Sequence, residues 1–76
     1  MPEFDLDAMY RNPANVRGRD LMRAAEERGW VRQRQSGSHV VYMLPGWPRS
    51  LSIPFAAKPN GTKRAIIRDM QEAERG

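Results

Sequence analysis

Ser36-Gly37-Ser38-His39-Val40-Val41-Tyr42-Met43-Leu44 decides the reading of this chain. A Ser-Gly-Ser connection leads into a run of β-branched and aromatic residues, which predicts a strand entered from a tight turn. Alternation puts His39, Val41 and Met43 on one face of that strand and Val40, Tyr42 and Leu44 on the other. Both faces are largely apolar, so the buried one stays open at this stage. Upstream, Trp30–Gln35 reads as a first strand with Trp30, Arg32 and Arg34 on one face. Downstream, Pro45-Gly46-Trp47-Pro48 is a second turn, Ser50–Ile53 a third strand, and Pro54 its end.

Helical spacing flanks the strands. Leu21, Met22, Ala25 and Arg28 predict a helix over 18–28, with Asp20 in its first turn and Gly29 placed to stop it. The only capping side chain just ahead of it is Asn15. At the other end, a loop over 55–61 precedes Thr62, read as the cap of a last helix over 63–74. Ile66, Ile67, Met70 and Ala73 give that helix its apolar stripe. Residues 1–16 read as a flexible acidic arm, with one helical turn through Phe4, Met9 and Tyr10 as the alternative, and 17–76 as one domain. The order is α-β-β-β-α. The expected fold class is α+β: a three-stranded antiparallel sheet with two helices on one face and the other face wet.

The chain has 76 residues, no cysteine, one histidine and a formal net charge of +4. That length allows one small domain. The composition leaves no disulfide and no thiolate metal site. No apolar run is long enough to span a membrane, so a cytoplasmic protein without a membrane partner is expected. Charge is unevenly distributed. Residues 28–68 hold eight bases and no acid: Arg28, Arg32, Arg34, Arg49, Lys58, Lys63, Arg64 and Arg68. Of the thirteen basic residues eleven are arginine, the side chain suited to bidentate phosphate recognition. An acid-free run of this length points to an anion-binding surface.

His39 stands inside that run. Imidazole is the only side chain whose unperturbed pKa falls between pH 5 and 8, so it can take and give protons. Gly37 permits close backbone approach, and Ser38 offers a hydroxyl and an N–H to an anion. Arg32 and Arg34 lie on the adjoining strand. Lys58, Lys63 and Arg64 are further phosphate-binding candidates, the last two at a helix start. Trp47 either stacks on a base or caps the core. The basic stretch has no carboxylate to hold Mg²⁺, and no acidic residue is evident to orient His39 as in a serine-protease triad. Metal-free RNA cleavage remains, with His39 taking the proton of a ribose 2′-OH and arginines stabilising the phosphoryl oxygens. A non-catalytic RNA-binding module, or a domain whose basic face meets an acidic protein, is the alternative.

Several of these elements together resemble the HicA toxins of bacterial toxin–antitoxin systems. They are Gly18-Arg19-Asp20-Leu21-Met22 leading to Glu27-Arg28-Gly29-Trp30, then Arg34, Gly37-Ser38-His39 with Tyr42, Ile53-Pro54, and Gly61-Thr62 with Ile66-Ile67. The resemblance spans roughly residues 17–72. It implies a small mRNA interferase with a double-stranded-RNA-binding-like fold, a catalytic His39, mRNA as substrate and a cognate HicB-like antitoxin as partner. Neither a metal nor another cofactor is implied. Three features depart from the family pattern: the added acidic arm, Arg17 where a serine often caps the first helix, and Phe55-Ala56-Ala57 where histidine or basic residues often follow Ile-Pro.

Overall fold

The chain folds around its second strand. In a computed structural model describing residues 3–56 and 59–76, β2 (His39–Met43) lies between β1 (Val31–Ser36) and β3 (Ser50–Pro54), antiparallel to both. Helices α1 (Leu6–Arg11), α2 (Gly18–Glu27) and α3 (Asn60–Arg75) complete it, with a 3-10 turn at Pro13–Asn15. The sheet's buried face is now defined. Val40 and Tyr42 of β2 and Leu51 and Ile53 of β3 pack with Leu21, Ala24 and Ala25 of α2 and Ile66, Ile67 and Met70 of α3. Each large apolar side chain removed from water there contributes about 1.5–3 kcal/mol. The fold is therefore α+β, with both α2 and α3 on one face of the antiparallel sheet. His39, Val41 and Met43 occupy the opposite, open face.

Local chemistry explains the boundaries. Helix α2 starts beyond Arg17, whose backbone N–H donates to the Asp20 carboxylate at 3.0 Å. Asn15 does not cap it; it belongs to the 3-10 turn. Glycine is required at the C-terminus of α2. Gly29 has φ +92°, its N–H donates to the Glu26 carbonyl and that of Trp30 to the Ala25 carbonyl. This is a Schellman closure, and it drives Trp30 into the core. Helix α3 begins earlier than expected. Pro59, not Thr62, is its N-cap, and the Thr62 and Lys63 N–H groups already donate to the Pro59 carbonyl.

The segment expected to be a flexible arm is packed, not free, from residue 4 onward. Asp5 caps α1 by accepting from the Asp7 and Ala8 N–H groups. Leu6, Met9, Pro13 and Val16 are buried. Three cations of α3 hold the segment: Lys63 Nζ donates to the Pro13 carbonyl at 3.1 Å, Arg64 Nε to the Tyr10 carbonyl at 3.0 Å, and Arg68 to the Tyr10 hydroxyl. Gln71 adds a bond to Asp7. Arg28 closes the other side. Its guanidinium reaches the Phe4 carbonyl, the Ala24 carbonyl and Glu74, joining the chain start to α2 and α3.

Candidate active site

A two-residue connection, Gly37-Ser38, carries the chain from Ser36 to its cross-strand partner His39. Gly37 alone takes the left-handed conformation, φ +59°, as in the type II′ turns favoured in twisted hairpins. The Gln35 amide donates to the Gly37 carbonyl at 3.3 Å. On the other flank His39 pairs with Pro54 of β3, and the Phe55 N–H donates to the Ser38 carbonyl at 2.9 Å. His39 is thus gripped by strands on both sides while its side chain remains exposed. The Ser38 hydroxyl lies 3.4 Å from His39 Nδ1. A hydroxyl can donate to an unprotonated Nδ1 or accept from a protonated one, so this contact tolerates either tautomer.

Helix α2 braces this corner from beneath. A Cβ built on Gly18 would stand 2.5 Å from the Pro54 carbonyl oxygen and 2.6 Å from that of Phe55. Only glycine lets the helix start approach the end of β3 so closely. Gly18 therefore belongs to the support of His39, two elements away in sequence.

The two arginines of β1 do not share a face. The pairing shifts between Arg32 and Arg34: Arg32 lies opposite Tyr42 and Arg34 opposite Val41. A bulge at Gln33 inserts one extra residue and reverses the alternation beyond it. Arg34 consequently joins His39 and Val41 on the open face, whereas Arg32 sits on the helix-side face beside Tyr42. The Tyr42 hydroxyl is buried and donates to Glu26 at 2.8 Å. Burial, reinforced by the Glu26 carboxylate, pushes its pKa up to about 12. Tyr42 is a structural strut on the core side.

The remaining candidates fall elsewhere. Lys63 is buried with its ammonium on Pro13, and Arg64 bonds to the Tyr10 carbonyl with its guanidinium 5.4 Å from the Tyr10 ring centroid. Both hold α1 and its following turn, a role the sequence did not signal because the partners lie about fifty residues away. Lys58 lies outside the described residues. Trp47 is partly buried against the core, with the Arg49 guanidinium 5.1 Å from its ring centroid. What assembles at the hairpin is Gly37, Ser38, His39 and Arg34. Among the described residues no group of three His, Asp or Glu side chains is arranged to hold a metal ion. No helix among them is long and apolar enough to cross a membrane.

The family model for the HicA toxin of bacterial toxin–antitoxin systems matches residues 18–71, from the start of α2 to the last turns of α3. The chain belongs to the HicA toxin family. The match contains His39 and the hairpin that presents it, and it excludes α1. No curated protein and no solved structure matches the chain. Membership makes the protein a toxin of a toxin–antitoxin pair at the level of family.

Proposed function

We propose that the protein is a metal-independent endoribonuclease that cleaves mRNA in the cytoplasm and is held inactive by a cognate HicB-like antitoxin. The observation that carries this reading is the exposed His39, fixed at a hairpin end beside the Ser38 hydroxyl, on the same open face as Arg34. His39 takes the proton from a ribose 2′-OH, whose oxygen attacks the adjacent phosphorus. The bond to the 5′ oxygen breaks, leaving a 2′,3′-cyclic phosphate on one fragment and a 5′-hydroxyl on the other. Arg34 and the turn N–H groups meet the charge on the non-bridging oxygens. Solvent can supply the proton to the leaving oxygen at so open a site. DNA, which lacks the 2′-OH, is not cut.

Family membership supports the toxin role, and Arg34 on an open sheet face without acidic residues supports a polyanionic substrate. Expression in a bacterial host tests the reading. Wild type should arrest growth with loss of intact mRNA, the protein encoded beside it should relieve the arrest, and His39→Ala should be harmless at equal protein level. Arrest by His39→Ala equal to that by wild type would contradict it.

A further inference from the structure

The open face of the sheet carries a second feature at the end opposite His39. A cavity of about 330 Å³ is lined there by Val31, Gln33 and Met43 from the strands and by Leu44, Pro45 and Trp47 from the following turn. Its size falls near the lower end of small-ligand pockets, roughly 300–1,000 Å³. The lining is mostly apolar, with an indole and one primary amide. Val31 is 48% exposed and forms one wall of the pocket. Gln33 lines the pocket with Val31, two residues before it on the same face of β1. The Arg49 guanidinium over the Trp47 ring is itself held by Glu72 at 3.1 Å, which steadies the indole.

Resting on the ribonuclease reading, we propose that this pocket receives one unstacked base of the single-stranded RNA, and so fixes where the strand is cut. Three observations favour a base over other occupants. The pocket shares the face of His39 and Arg34, four residues along β2, or about 13 Å at the usual strand rise. No acidic residue occurs in the strands or turns that form this face, which suits a ligand whose backbone is anionic. An aromatic ring beside an amide with one donor and one acceptor edge is the chemistry that stacks and reads a base. The base would enter the pocket while the strand crosses Arg34 toward His39.

The experiment uses the full chain and a short single-stranded RNA whose cleavage position by wild type is mapped first. His39→Ala then binds the intact RNA, and the RNA is made abasic one position at a time. One position, fixed relative to the cleavage site, should weaken binding about 5- to 150-fold, the loss typical of a stacked base. Trp47 emission should be quenched by every RNA except the one abasic there; Trp30 is buried and serves as background. Trp47→Ala and Val31→Asn, checked for folding by thermal melting, should bind weakly and lose sensitivity to that abasic position. RNA that is cut normally, yet binds equally with every base removed and leaves Trp47 emission unchanged, would overturn the pocket and leave the ribonuclease reading intact. Variants that keep RNA affinity but lose the antitoxin would assign the pocket to a protein side chain and also overturn it. A wild type that neither binds nor cuts RNA would sink both.

Discussion

Two glycine-to-alanine substitutions should move stability in opposite directions. At Gly18 the new methyl would meet the Pro54 and Phe55 carbonyl oxygens at 2.5 and 2.6 Å, against an ordinary contact of 3.4 Å or more. Both obstacles are backbone, so no rotamer change relieves them. Helix α2 or the end of β3 must retreat by close to 0.9 Å. Overpacking of this kind costs about 1–3 kcal/mol, more than the few tenths that alanine regains in a first helical turn. At Gly61, in the first turn of α3, a Cβ meets nothing within 4 Å. Alanine there restricts the unfolded chain and should stabilise by about 0.5 kcal/mol. For a domain of this size roughly 4–8 °C accompanies each kcal/mol, so melting by circular dichroism separates the two variants clearly. Gly18→Ala should also lose RNA cleavage at temperatures where it remains folded, because Pro54 and Phe55 frame the Ser38-His39 backbone. A Gly18→Ala protein melting at or above wild type would refute the close-approach argument.

Other substitutions test separate links. Arg34→Ala should weaken RNA binding and lower the salt slope of log affinity by about 1, while Arg32→Ala, on the opposite face, should do less of both; equal effects in a salt titration would discard the bulge-based assignment. Tyr42→Phe should cost about 1–2 kcal/mol at neutral pH, since the hydroxyl's bond to Glu26 is lost. Because folding raises the Tyr42 pKa from 10.0 to about 12, its contribution is full below pH 10 and lost as pH rises through about 12. Wild type and Tyr42→Phe should therefore converge in denaturant stability across that window, and a constant gap would contradict it. Lys63→Met keeps the buried stem but removes the donor to Pro13, and should raise hydrogen exchange in residues 6–16 selectively. Unchanged exchange there would mean that Lys63 does not hold the segment.

The order of α2, the three strands and α3 was legible because each carries its own periodic pattern and stop signal. Gly29 announced the end of α2, and the Gly37-Ser38 turn announced the hairpin. The buried face of β2 was not legible, since Val41 and Met43 are as apolar as Val40 and Leu44; packing against α2 and α3 decides it. Helix α1 ranked behind a flexible arm because six residues make too short a helix to stand alone. Its Asp5 cap and the Leu6/Met9 spacing were the available signals. The commitment of Lys63 and Arg64 to that segment follows from tertiary contact and leaves no trace in local sequence. The bulge at Gln33 was equally hidden, since Arg-Gln-Arg reads as plain alternation. Of the candidate site, His39 and its Gly-Ser turn could be read directly, whereas the separation of Arg34 from Arg32 needed the strand register.

One measurement reaches the central claim. Purified wild type and His39→Ala are incubated with a defined mRNA in EDTA, and the fragment ends are analysed. His39 is exposed and among the described residues its ring contacts the Ser38 hydroxyl alone, so the variant should melt with wild type and still bind RNA. Wild type should cut and leave 2′,3′-cyclic phosphate ends, while His39→Ala should not cut. Equal cutting by both proteins, or cutting by neither while both bind, would contradict the assignment of His39 as the group that performs the reaction.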